Sequence, residues 1–169
     1  LLPNVEYTPD FFNFVGLNPN LINFSFGSKL SKFTLMGIDF SAMVCLESIF
    51  PSPTRETVNQ GAQFIVYIVN DGWYTRFPEP QQHARRSIFR AIENRRTVVR
   101  CANSGISMIV GPCGNILREL GLNKKGVIDE GIILSDEKTF YTKYGDVFSF
   151  LNLLLLLLLF LNTRMKGKI

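Results

Sequence analysis

The chain is 169 residues long, enough for one domain with a sizeable core, and its 18 basic and 14 acidic side chains leave a formal net charge of +4. Three of the positive groups, Arg164, Lys166 and Lys168, fall in the last six residues and the rest are interspersed with acids, which gives no nucleic-acid footprint. Three cysteines (Cys45, Cys101, Cys113) with no CxxC pair, and a single histidine, His83, indicate neither a disulfide framework nor a metal site.

In chain order, residues 1–32 come first. They begin Leu1-Leu2-Pro3, with no initiator methionine and no signal-peptide pattern, and read as the start of the C-terminal part of a longer protein. Phe11, Phe12, Phe14, Phe24 and Phe26 stand among Asn, Gly and Ser without regular periodicity. That composition fits an irregular flap over a core, or an aromatic arm that meets an apolar ligand or a membrane interface. Phe33 to Phe50 reads as a strand with one well-buried face. Met36, Ile38, Phe40, Ala42 and Val44 alternate on one side, with Gly37, Asp39, Ser41 and Cys45 on the other. The strand runs out just after Cys45, at Glu47 and Pro51-Ser52-Pro53. A cysteine at such a strand end is either a structural core residue or a nucleophile, and this stretch alone favours the structural reading.

Ser52 as N-cap and Pro53 at the first helical position predict a helix that stops at Gly61. Phe64 to Val69 is a continuous apolar run that suits a central strand covered on both faces. It ends in the turn Asn70-Asp71-Gly72-Trp73-Tyr74. If this strand runs parallel to the first, the turn and Cys45 share the carboxyl ends of strands, where open α/β sheets place their ligands. Asn70, Trp73 and Tyr74 are then candidates to line a pocket. Gln81 to Arg95 predicts a helix whose apolar stripe is Ala84, Ile88 and Ile92, with Phe89 and Ala91 beside it and arginines opposite. His83 in its first turn reads as a structural hydrogen-bonding residue, and Glu93 as a surface acid or a buried anchor. Strands follow at Val98–Ala102, Ile106–Val110, Ile116–Leu120 and within Gly126–Leu134. Turns at Asn103-Ser104-Gly105 and Gly111–Asn115 separate the first three, the second with Cys113 as an incidental member. The alternation predicts an α/β sandwich in which a mixed sheet packs against helices.

Val147 to Leu161 carries no charge and includes seven consecutive leucines, Leu153 to Leu159. A core helix of this length would show a polar face; here only Ser149 and Asn152 are polar, so a short transmembrane helix is expected. Arg164, Lys166 and Lys168 follow at once. By the positive-inside rule the C-terminus is cytoplasmic and the α/β domain lies on the outer face.

Taken together, MVCLESIFP, GAQFIVYIVNDGWY, QHARRSIFRAIENRRTVVRCANSGIS and YTKYGD before a leucine span resemble the C-terminal part of the apolipoprotein N-acyltransferase family. The resemblance runs from LLPNVEYTP to the last helix. It implies a partial nitrilase-like α-β-β-α sandwich followed by a C-terminal transmembrane helix. The segments would be an aromatic-rich arm (1–32), the C-terminal part of the catalytic domain (33–146), the membrane helix (147–163) and a basic cytoplasmic tail (164–169). It implies a cysteine nucleophile at Cys45 that takes an acyl chain from a glycerophospholipid as a thioester. The acyl chain then passes to the N-terminal amine of a diacylglyceryl-cysteine apolipoprotein, without a cofactor or metal, at a bacterial inner membrane with the catalytic domain on the periplasmic face. The family's glutamate base and lysine fall upstream of the matched region, so the chain alone is expected to be inactive. Glu6 and Glu47 match family glutamates with supporting roles. Asn4-Val5, Leu46 and the loop Thr75–Pro80 depart from the family pattern. A soluble amidase of the nitrilase type, or an inactive remnant, are the alternatives.

Overall fold

The computed structural model describes residues 30–73 and 78–166. Glu6, Tyr74, the aromatic arm up to residue 29 and the last three residues of the tail lie outside them. The described elements are β1 (Lys32–Leu35), β2 (Ile38–Val44), α1 (Pro51–Asn59), β3 (Phe64–Asn70), α2 (Glu79–Asn94), β4 (Thr97–Asn103), β5 (Ser107–Val110), β6 (Ile116–Leu120), α3 (Phe140–Tyr144) and α4 (Val147–Lys166). All six strands join one sheet in sequence order. Strands β2, β3 and β4 are parallel, linked by the crossover helices α1 and α2, while β1, β5 and β6 pair antiparallel at the two flanks. The expected mixed sheet with helices against it is thus present, as one sheet and one helical layer of an α-β-β-α sandwich.

The stretch expected as a single strand from Phe33 is a hairpin. Met36 and Gly37 form its two-residue loop with φ of +52° and +80°, and both signs are those of the turn that matches strand twist. The burial of β2 is also the reverse of the expected one. Ser41 and Met43 are fully buried under the helices, whereas Met36 and Val44 are exposed and Ile38, Phe40 and Ala42 only half-buried. The helical layer covers the small and flexible side chains. The bulky alternating set looks out from the opposite face, where Phe33, Phe40 and Phe64 stack across β1, β2 and β3 at centroid spacings of 5.7 and 5.1 Å.

Between sheet and helices lie Met43, Ile65, Tyr67, Val69, Val98, Met108 and Val110 from the strands, with Val58, Ala84 and Ala91 from α1 and α2. Burial of each larger aliphatic among them contributes about 1.5–3 kcal/mol. Tyr67 brings a hydroxyl into this layer, and Thr54 Oγ1 meets it at 2.7 Å, so the polar atom is paired. Burial pushes the Tyr67 phenol above its ordinary range.

Helix α1 begins at Pro51, two residues earlier than Ser52-Pro53 predicts. Phe50 takes the N-cap position without a side-chain cap, and proline at the first turn forfeits no hydrogen bond. On α2 the buried stripe is rotated from the expected one. His83, Ala84, Ser87, Arg90, Ala91 and Asn94 face the core, Ile88 is half-buried, and Phe89 and Ile92 are exposed. One arginine, Arg90, therefore lies inside, where its Nη2 donates to Glu93 Oε1 at 2.9 Å. Gly126–Leu134 is no strand. It crosses the amino ends of β3 and β4 as irregular chain, where Thr97 Oγ1 donates to Ile133 O (2.8 Å) and Ser135 N–H to Gln63 O (3.4 Å). Val127 is almost fully exposed.

The chain then forms a strap. Thr139 caps α3 by accepting from Thr142 N–H (2.9 Å) and donates to Glu93 O at the end of α2. Thr142 is fully buried: its hydroxyl donates to Asn94 Oδ1 (3.1 Å), and its carbonyl accepts from Arg55 Nη1 (3.2 Å) and Asn59 Nδ2 (2.7 Å) of α1. Helix α4 follows directly. At 20 residues it is roughly 30 Å long, the thickness of a bilayer core. It is the one described helix long and apolar enough to cross a membrane, and its leucines are all about half exposed or more. Asn152 and Thr163 donate to Phe148 O and Phe160 O of the same helix, so both polar side chains are paired without water.

Candidate active site

Strand β2 ends at Val44, and the next residue turns sharply. Cys45 has φ +48°, a left-handed conformation that costs a side-chain-bearing residue about 1–2 kcal/mol. Residues Cys45–Ile49 wind into a 3₁₀ turn before α1, so Cys45 occupies an elbow between strand and helix. Hydrogen bonds and close polar contacts hold the elbow. Val44 N–H donates to Glu47 Oε2 (2.7 Å), and Ser48 Oγ donates to Cys45 O (2.7 Å). His83 Nε2 lies 2.9 Å from Ser48 Oγ and 3.3 Å from Cys45 O. Glu47 thus serves as the carboxylate at the start of a helical turn, as half of a capping box.

Parallel pairing sets Val44 beside Ile68, so the elbow and the end of β3 lie side by side. The half-buried thiol of Cys45 points at Asn70 O, 3.8 Å away. Asn70 Oδ1 accepts from Gly72 N–H (3.1 Å), which shapes the turn Asp71–Trp73. Cys45 and Asn70 are therefore brought together as the two parallel strand ends predict, and Trp73 closes the same turn. Cys101 sits exposed on β4 and Cys113 exposed in the β5–β6 turn, where Arg95 Nη1 lies 3.5 Å from its sulfur. Neither shares the elbow.

Beneath the elbow runs a buried polar chain that sequence reasoning reached only through His83. Its Nδ1 donates to Asp71 Oδ1 at 2.7 Å, and Asp71 Oδ2 accepts from Arg100 Nη2 at 2.7 Å. The side chains of Asp71 and Arg100 are wholly inaccessible and that of His83 nearly so. Burial alone would raise the Asp71 carboxyl, but the His83 hydrogen bond and the Arg100 charge outweigh it and hold the acid below its ordinary range. Arg100 Nε also donates to Ile106 O (3.1 Å). Gly105 closes over the acid so tightly that a Cβ there would sit 2.2 Å from Asp71 Oδ2. The available signals were an aspartate at the carboxyl end of a strand and the chain's lone histidine in the first turn of the following helix.

The carbon-nitrogen hydrolase family model matches residues 8–140, more than three quarters of the chain. The chain belongs to the carbon-nitrogen hydrolase family. Among curated relatives, this carbon-nitrogen hydrolase chain is 36% identical over 152 residues to the apolipoprotein N-acyltransferase of Geobacter metallireducens, covering 88% of the chain and 29% of that protein. It is 34% identical over 164 residues to the enzyme of the same name from Rickettsia prowazekii, covering 94% and 33%. The chain thus spans about a third of the length of these relatives. Two solved structures share the carbon-nitrogen hydrolase fold. Saccharomyces cerevisiae Nit3, a nitrilase-superfamily member, aligns with TM-score 0.52 at 21% identity over 60% of this chain and 40% of its own. An amidase from Nesterenkonia sp. aligns with TM-score 0.52 at 24% identity over 72% and 46%.

Proposed function

We propose that this chain supplies the nucleophile and the membrane-proximal part of an apolipoprotein N-acyltransferase. The observation that carries this reading is Cys45 in a strained elbow at the carboxyl ends of parallel strands, in a chain whose full-length relatives bear that name. In the first half-reaction Cys45 sulfur attacks an ester carbonyl of a glycerophospholipid. The C–O bond breaks, the proton lost by the thiol goes to the departing lysophospholipid hydroxyl, and a thioester remains. In the second, the N-terminal amine of a diacylglyceryl-cysteine apolipoprotein attacks the thioester, an amide forms, and the thiol is regenerated. Both steps need a base to make the thiolate and a cation or N–H donors for the oxyanion. The thiol meets Asn70 O, and we assign the base and the cation to a glutamate and a lysine of the full-length protein upstream of these residues.

Glu47 supports the site by fixing the elbow, and Glu6 by polar contact in the pocket, which Asn70, Trp73 and Tyr74 line. Helix α4 spans a bacterial inner membrane, with the catalytic domain on the periplasmic face and the basic end in the cytoplasm. Its length, its exposed leucines and Arg164 at its end favour this over a soluble amidase.

Expressed from its full coding sequence and incubated with a phospholipid carrying a labelled acyl chain, the protein should acquire label as a thioester, and Cys45→Ser should abolish it. Label that persists at Cys101 or Cys113 refutes the assignment. In alkaline carbonate washes the protein should stay in the membrane pellet; release into the supernatant refutes the spanning helix.

A further inference from the structure

The buried chain Ser48–His83–Asp71–Arg100 meets the backbone carbonyl of Cys45. A structural polar network in a core has no need to end on the one residue of an elbow that is held in a left-handed conformation. Here two of its members, Ser48 Oγ and His83 Nε2, converge on Cys45 O at 2.7 and 3.3 Å. The other end is anchored on β4, where Arg100 is fixed by Ile106 O and by Asp71. Asp71 itself belongs to the turn after β3, and Asn70 O in that turn is the atom the thiol meets. The four side chains therefore join the elbow, the β3 turn, α2 and β4, and all of them are buried.

We propose that Ser48, His83, Asp71 and Arg100 are positioning residues that hold Cys45 in its left-handed conformation and so aim its thiol along the end of β3. The proposal rests on the reading of Cys45 as the acyl-accepting nucleophile, and deepens it. Cys45 leaves strand geometry at φ +48°, and its carbonyl, half-buried, is costly to leave unpaired. The Ser48 hydroxyl donates to that carbonyl, and His83 Nε2, 2.9 Å from Ser48 Oγ, holds the hydroxyl in place, which offsets the strain of the elbow. Asp71 fixes which ring nitrogen of His83 faces it, and Arg100 fixes Asp71. Loss of any member frees the Cys45 carbonyl to swing back toward extended geometry, which turns the thiol away without altering the lipid surface.

The test uses the protein expressed from its full coding sequence, in membranes, with a phosphatidylethanolamine bearing a fluorescent acyl chain. Single-turnover acylation of Cys45 is measured against lipid concentration. Ser48→Ala and His83→Ala should each slow acylation about tenfold or more, with half-saturating lipid concentration within twofold of the unsubstituted protein. The double variant should be no slower than His83→Ala, because both act through one carbonyl. His83→Gln, which restores a hydrogen-bonding side chain near the ring's outer nitrogen, should recover at least threefold over His83→Ala. Val110→Ala, a core truncation in β5, supplies a control of comparable thermal destabilisation and should acylate within twofold of the unsubstituted protein. Amide hydrogen exchange in the peptide covering Val44–Phe50 should quicken at least tenfold in both alanine variants and not in Val110→Ala. Acylation in Ser48→Ala and His83→Ala that is within twofold of the unsubstituted protein, or that falls no further than in Val110→Ala, overturns the proposal. If the unsubstituted protein forms no thioester, the acyltransferase reading falls instead, and unchanged exchange at the elbow then overturns the positioning role separately.

Discussion

At Cys45 the backbone is strained where the chemistry is proposed, and the strain should be measurable. Cys45→Gly removes the side chain that disfavours φ +48°, so unfolding should become harder by about 0.5–1 kcal/mol even as thioester formation vanishes. Equilibrium urea unfolding checks the first half of that statement. Asp71 gives a second residue-level expectation. Its folded pKa is depressed, so its contribution to stability is complete above the unfolded carboxyl value near ~3.9 and is lost as pH falls through the lower folded value. Asp71→Asn should flatten that acid limb. It should also destabilise the protein at neutral pH by about 3–5 kcal/mol, because Arg100 is left buried without its carboxylate. A melting series from about pH 1.5 to pH 7 separates the two effects.

Among the elements, the β1–β2 hairpin is the one whose turn chemistry fits its geometry least well. Its loop needs positive φ at both positions, and Met36 supplies it with a long, almost fully exposed side chain. Met36→Asn should therefore raise stability by about 0.5–1 kcal/mol, measured as an increase in the urea midpoint at constant slope. The same mismatch explains why the hairpin was not legible. Met-Gly lacks the Asn-Gly or Asp-Gly signature, so alternation ran unbroken from Phe33 through the turn. Strand β3, the strand end at Cys45 and the two helices were legible, because FIVYIV and the proline-led segment after Cys45 leave few other readings; the parallel pairing of β2 and β3 entered only as a condition. Which face of β2 is covered was not. Alternation says that two faces differ, and the sheet here turns its aromatic side away from its helices. On α2 the apolar residues misled for a related reason. Its inner stripe is partly polar because His83 and Arg90 have buried work there, and no hydrophobic period encodes a hydrogen-bond partner on another strand. The strand end that carries Cys45 could be read from one segment, whereas the Asp71–His83–Arg100 chain needed three segments assembled.

For the whole molecule, the family likeness covers the sheet and its helical layer, and α4, long and apolar enough to cross a membrane, lies beyond the matched residues. The strap made by Thr139 and Thr142 links those two parts. Arg55 and Asn59 of α1 bind it directly, and α1 begins one residue beyond the elbow that ends at Ile49. Arg55 and Asn59 lie roughly 6 and 12 Å along α1 from its first residue, so one helix of about two and a half turns joins the strap to the nucleophile's turn. In the proposed orientation this makes the domain a rigid post rather than a float on a tether. A few hydrogen bonds at the root of α4 would then set how high the thiol stands over the lipid headgroups, and a tilt of that helix would arrive at Cys45 as a change in reach.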